Sequence, residues 1–160
     1  MPNVLDASAC HAWASLLGDA NGAGSRGMLS NQLVAELAES LLAELVRPHL
    51  PLSPIPVRGI YFDKRPETNW LVAWHQDLTL ALKEQADVPG FGPWSVKEDV
   101  PHVQPPMQLL EQMLTVRLHL DDTDSSNGAL RVLSGTHRLG RLSAESIQSC
   151  RATHEEVLCE

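Results

Sequence analysis

The sequence lacks the features of a secreted, membrane-bound or nucleic-acid-binding protein. Its three cysteines, Cys10, Cys150 and Cys159, have no paired spacing, so we interpret them as reduced thiols and not as a disulfide framework or a zinc site. The net charge of −8 argues against a basic face for nucleic acid. No apolar run approaches the length of a membrane span, and residues 1–6 lack the pattern of a leader. These absences predict a soluble cytoplasmic protein that acts on a small molecule, with no nucleic acid and no membrane as partner.

The length of 160 residues and the apolar fraction of 43% predict one globular domain over the whole chain, 1–160. Its first part, residues 1–56, is predicted to be helical, because leucines recur every four residues over 31–47. The second part, 57–160, changes to short apolar segments, and we expect strands at residues 57–63, 71–77, 115–120 and 129–133. Residues 87–106 are rich in proline and glycine, which predicts a long irregular loop that covers an active site like a lid.

The tripeptide His75-Gln76-Asp77 ends the second predicted strand and is the strongest chemical signal in the chain. Side chains two residues apart on a strand point to the same face, so an imidazole and a carboxylate would lie together. Non-heme Fe(II) oxygenases bind their metal with two histidines and one carboxylate. The tripeptide therefore predicts two of three ligands of an iron site.

The predicted strand at residues 115–120 alternates polar and apolar side chains. Alternation places Thr115, Arg117 and His119 on one face and apolar residues on the other. Two interpretations remain open, namely the inner wall of a jelly-roll barrel and a half-exposed strand whose polar face meets water. The pattern as a whole predicts a mainly β protein with N-terminal helices.

The tripeptide is followed by a second ordered motif, Asn127-Gly128-Ala129-Leu130 leading to Gly135-Thr136-His137. The two motifs together resemble those of the phytanoyl-CoA dioxygenase family of Fe(II)- and 2-oxoglutarate-dependent oxygenases, with Ser134 where many members have proline. Upstream, residues 61–66 and Asn69-Trp70 are similar to the approach to that family's iron-binding strand. The resemblance covers residues 58–141.

The resemblance implies a double-stranded β-helix, which is a jelly-roll, cupin-like barrel, and hydroxylation of a small organic substrate. It implies Fe(II) as cofactor, 2-oxoglutarate as co-substrate and O2 as oxidant. His75 and Asp77 would be metal ligands, whereas His137 would be a structural residue and an unlikely substitute for the third ligand. That third ligand, a histidine on a late strand, would lie beyond residue 160. We therefore expect a truncated form of a longer dioxygenase, with a barrel incomplete at the C-terminus and impaired activity.

Two further residues are candidates for the cofactor pocket. Arg117 is a candidate for contact with the 2-oxoglutarate carboxylate, although pairing with a nearby aspartate is equally compatible with the sequence. His119 is a weaker candidate that would line the pocket wall. Two other functions stay open: a catalytically inactive barrel fragment that acts as a binding module, and a cupin-like metalloenzyme that is independent of 2-oxoglutarate and uses His137 or His119 as the extra ligand.

Overall fold

The structure is a computed structural model that describes residues 4–18, 24–65 and 72–159. Five α-helices are present in these residues: α1 (Ala7–Leu17), α2 (Gln32–Leu37), α3 (Ala43–Val46), α4 (Met107–Leu110) and α5 (Ala144–Thr153). The seven strands are β1 (Gly24–Arg26), β2 (Ile60–Phe62), β3 (Leu80–Ala81), β4 (Trp94–Lys97), β5 (Val100–Val103), β6 (Leu130–Leu133) and β7 (Glu156–Cys159). Turns of 3-10 helix lie at Met28–Ser30, Arg47–His49 and Thr136–Leu139, and a π-helical turn lies at Ala38–Leu42.

The long helix predicted from the leucine repeat is confirmed. The side chain of Asn31 caps α2, because its Oδ1 accepts hydrogen bonds from the backbone N–H groups of Leu33 (3.0 Å) and Val34 (3.4 Å). The helical path then continues through the π-helical turn and α3, which ends at Val46, shortly before Pro48. The apolar repeat and the two end signals are local, which is why the sequence was sufficient to predict this element.

The strands form three small antiparallel sheets and no closed barrel within the described residues. Strand β1 pairs with β2, β5 lies between β3 and β4, and β6 pairs with β7. In the middle sheet, Val103 of the central strand lies opposite Leu80 on one side and Trp94 on the other. The described chain is therefore a mixed helix and sheet structure, and the predicted jelly-roll is not confirmed.

Two of the four predicted strands are wrong for the residues that the structure describes. Residues 72–77 form no strand, and Leu71 lies outside the described residues; residues 115–120 likewise form none. Strand β2 occupies part of the predicted segment 57–63, and β6 confirms the predicted segment 129–133. A strand needs a neighbour for its backbone hydrogen bonds, and the described sheets pair other segments. Alternation of side chains alone does not supply that neighbour.

The prediction of an irregular loop over residues 87–106 is wrong, because part of this segment forms regular secondary structure. It contains the hairpin of β4 and β5, closed by the two-residue turn Glu98-Asp99. Both turn residues have positive φ, 50° and 61°, which matches the twist of an antiparallel hairpin. The usual sequence signal for such a turn is Asn-Gly, and its absence here explains why the hairpin was missed. A lid role for this segment stays a prediction.

Buried side chains concentrate around β5. Val103 is 0% exposed, and His102 and Pro105 beside it are also buried. Elsewhere Ala43 of α3 and Cys150 of α5 are buried.

Among the described residues, no helix combines the length and apolar character needed to cross a bilayer. The division into parts 1–56 and 57–160 stays a prediction, although β1 of the first part pairs with β2 of the second.

Candidate metal centre

His75 and Asp77 lie on the same exposed side of a segment that belongs to no strand. Exposure alternates through residues 74–77, with Trp74 and Gln76 half-buried and the residues after each of them exposed. The side chain of His75 is 56% exposed and that of Asp77 is 72% exposed, and His75 Nε2 lies 3.6 Å from Asp77 Oδ1. The same-face prediction for these two side chains therefore matches the geometry, even though the segment is not paired into a sheet.

One hydrogen bond orients the ring of His75. Its Nδ1 lies 2.8 Å from the backbone oxygen of Ala73, and because a carbonyl oxygen only accepts, Nδ1 must carry the proton. The other ring nitrogen, Nε2, is the one nearer Asp77. A hydrogen bond from the remote nitrogen to a carbonyl is the usual way in which proteins orient a metal-binding histidine.

The spacing of the two donor atoms fits one shared ion. Imidazole nitrogen and carboxylate oxygen bind divalent first-row metals at about 2.1 Å, so two donors of one ion lie no more than ~4.2 Å apart. The 3.6 Å between His75 Nε2 and Asp77 Oδ1 meets this condition. His75 and Asp77 would be the two side chains that hold a divalent cation here, and both are exposed.

A third ligand is not brought to this pair by the described residues. Across residues 4–18, 24–65 and 72–159, no group of three His, Cys, Asp or Glu side chains is arranged to hold a metal. His137 lies exposed in the 3-10 turn Thr136–Leu139, and His119 is half-buried elsewhere in the chain. Within the described residues, the candidate site therefore consists of His75 and Asp77 alone.

Gln76 and Trp74 attach the opposite side of the same segment to α5 and the residues just before it. The side-chain amide of Gln76 donates to the backbone oxygen of Gly140 (2.8 Å) and accepts from the backbone N–H of Leu142 (2.8 Å). The guanidinium carbon of Arg151 lies 5.8 Å from the ring centre of Trp74. The sequence analysis missed these contacts of Gln76. Its position between two candidate ligands could have indicated a side chain that points to the opposite face and contacts the rest of the chain.

Arg117 and His119 occupy a different environment from the one predicted. Exposure does not alternate over residues 115–120, so the predicted inward face is absent from this unpaired segment. Arg117 is exposed, and His119 is half-buried. Burial, and to a lesser degree the positive charge of Arg117, lower the pKa of His119 below its usual value. His119 is therefore neutral at neutral pH, and its backbone oxygen accepts a weak contact from Cys10 Sγ at 3.9 Å.

The Asn127-Gly128 motif closes a turn that is held by its own side chains. Asn127 Oδ1 accepts from the N–H of Asp124 (2.7 Å), and its Nδ2 donates to the backbone oxygen of Asp122 (2.8 Å). Gly128 has φ +91°, and a Cβ there would lie 3.2 Å from Cδ of Lys64. The motif thus has a backbone role, since it reverses the chain before β6 and lets Lys64 approach closely.

An apolar cavity of about 260 Å³ lies against α1 and α2, away from the metal pair. Its lining residues are Ala9, Ala12, Trp13, Leu16 and Leu33. Neither His75 nor Asp77 contributes to it. The candidate centre is an exposed surface site in the described part of the chain.

The two-ligand centre and the antiparallel sheets are compatible with an iron-dependent oxygenase, and comparison with known families agrees. The family model described as phytanoyl-CoA dioxygenase matches residues 3–155, so the chain belongs to the phytanoyl-CoA dioxygenase family. Members of this family are typically oxygenases that use Fe(II), 2-oxoglutarate and O2. Comparisons with curated proteins and with solved structures give no significant match.

Proposed function

We propose that this protein is an Fe(II)- and 2-oxoglutarate-dependent oxygenase that hydroxylates a small organic substrate, with His75 and Asp77 as two of its metal ligands. The observation that supports the proposal most directly is the His75–Asp77 pair, with donor atoms 3.6 Å apart on one exposed side. Membership of the phytanoyl-CoA dioxygenase family supports the choice of Fe(II) over other divalent metals.

Each residue has a defined part in this proposal. His75 binds the metal through Nε2, while its Nδ1–H donates to the Ala73 carbonyl and orients the ring. Asp77 supplies an anionic oxygen that offsets part of the metal charge. Fe(II) and 2-oxoglutarate, when bound, supply the activation of O2 needed for hydroxylation. A contact of Arg117 with the distal carboxylate of 2-oxoglutarate and a pocket role for His119 stay predictions from the sequence, because residues 115–120 lack the inward face on which both roles were based.

The test is binding under anaerobic conditions. Fe(II) and 2-oxoglutarate added to the full chain should give a metal-to-ligand charge-transfer absorption band. His75→Ala should abolish this band, because it removes one of the two proposed metal ligands. His49→Ala is the matched control, since His49 is also exposed but lies in the turn Arg47–His49. A band that survives His75→Ala and Asp77→Ala together would refute the assignment.

The same experiment separates a second candidate function, a non-catalytic binding module. This candidate is supported by one observation: no third metal-binding side chain joins His75 and Asp77 among the described residues. A folded protein that gives no charge-transfer band and releases no succinate would favour it. Metal affinity lost in His137→Ala, with no response to 2-oxoglutarate, would instead indicate a cupin-like metalloenzyme that recruits His137.

A further inference from the structure

Gln76 is the residue between the two candidate ligands, and it makes long-range contacts with the chain that follows the Gly-Thr-His motif. Its Nε2 donates to Gly140 and its Oε1 accepts from Leu142, each at 2.8 Å. Because a backbone carbonyl only accepts and a backbone N–H only donates, both ends of the amide are used and its orientation is fixed. We refer to these two hydrogen bonds as the Gln76 clip.

Residues 72–79 are oriented by the Gln76 clip and not by pairing with a neighbouring strand. Residues 72–79 belong to no strand, so no ladder of backbone hydrogen bonds determines which way His75 and Asp77 face. The alternating exposure of residues 74–77 shows that the facing is nevertheless defined. The Gln76 clip and the contact of Trp74 with Arg151 both act on the side opposite the ligands.

We propose that Gln76 is a positioning residue for the metal pair: its clip to Gly140 and Leu142 holds His75 and Asp77 in the orientation that binds one cation. Since Gln76 itself points away from the pair, it acts through the backbone that carries its two neighbours. Removing a group that is hydrogen-bonded directly to a ligand typically changes metal affinity about 10- to 100-fold; Gln76 acts through the backbone, so we expect an effect at the lower end, about 10-fold. The proposal rests on the proposed metal-binding function.

The test uses Co(II), whose visible absorption reports ligand geometry without turnover. Gln76→Met keeps the length of the side chain but removes both hydrogen bonds, and Gln76→Glu keeps only the acceptor for Leu142. Both variants should bind Co(II) about 10-fold or more weakly and shift its absorption bands. Gln108→Met, an exposed glutamine in α4, is the control and should leave affinity and spectrum unchanged.

A second measurement needs no variant and guards against loss of folding. Binding is reciprocal, so a cation that requires the clip must also strengthen it. Zn(II), a diamagnetic probe, should slow hydrogen exchange of the Leu142 amide, whereas the Ser134 amide, which is bonded to Glu155 at 2.8 Å, should not respond.

Three outcomes decide between the possibilities. Gln76 variants that bind Co(II) with unchanged affinity and spectrum, even if less stable, would overturn the positioning role and leave the proposed function intact. Unchanged exchange at Leu142 in Zn(II)-bound wild type would do the same. A wild-type protein that binds neither metal, with no difference from His75→Ala, would overturn the metal-binding function and the positioning role with it.

Discussion

Val103→Ala tests whether the segment 87–106 is a structural core element or an independent loop. Val103 is 0% exposed and lies on the central strand of the middle sheet, between Leu80 and Trp94. The substitution removes two buried methyl groups, worth about 1.6 kcal/mol at ~0.8 kcal/mol each. The cavity that remains raises the expected loss of unfolding free energy to about 2–3 kcal/mol.

Val96→Ala provides the matched control in the same hairpin. Val96 is 69% exposed and sits on β4, so its substitution carries the same change in strand preference but leaves no cavity. With roughly a third of the side chain covered, we expect a loss of only about 0.5 kcal/mol. The difference between the two variants, about 1.5–2.5 kcal/mol, isolates the burial of Val103.

Urea unfolding followed by circular dichroism measures both variants. The slope of free energy against urea should stay the same while the midpoint of Val103→Ala falls. By heating, its Tm should lie about 3–10 °C below that of Val96→Ala, at ~2–4 °C per kcal/mol for a chain of this size. Equal, small losses in both variants would refute a core role for the hairpin, because an independently moving loop would unfold without affecting the rest.

Two further perturbations test local features of the described chain. Asp99→Gly should raise the unfolding free energy by about 0.5–1 kcal/mol in urea, because Asp99 has φ 61° and glycine adopts this region without the steric cost; a loss comparable to that of Asp99→Ala would contradict this. The pKa of His119 is lowered, chiefly by burial and then by Arg117, so below about pH 6.5 the unfolded chain binds more protons than the folded chain. Stability from this group is present above that pH and is lost as pH falls through the folded pKa. His119→Gln should therefore flatten the acid side of the stability profile, and an unchanged slope would contradict the shift.

The predictions that succeeded depend on local pattern. The helix over residues 31–47 follows from an i, i+4 repeat and a side-chain cap, all within one segment. Strand β6 follows an Asn-Gly turn that can be read directly. The common facing of His75 and Asp77 agrees with the alternating exposure of residues 74–77, which is present here without a partner strand.

The predictions that failed depend on partners that are distant in the chain. Residues 115–120 have strand-like alternation, but no described strand pairs with them. The β4–β5 hairpin was missed because its turn is Glu98-Asp99 and its flanks are rich in proline. The Gln76 clip spans more than sixty residues to two backbone groups, and backbone partners leave no mark in the sequence.

The segment that carries His75 and Asp77 contacts α5 and the residues just before it, and it pairs with no sheet of the described chain. Trp74 contacts Arg151 in the last turn of α5, whereas Gln76 is bonded to Leu142, just before its N-cap Ser143. The segment that carries the ligands is therefore held near both ends of one helix, and α5 is itself packed through buried Cys150. The hydrogen bond from Nδ1 to Ala73 orients the His75 ring itself, whereas these contacts on the opposite side hold the segment that carries both side chains. The side chain of Gln76 thus links the His75-Gln76-Asp77 tripeptide to the residues that follow the Gly-Thr-His motif, and not to the motif itself.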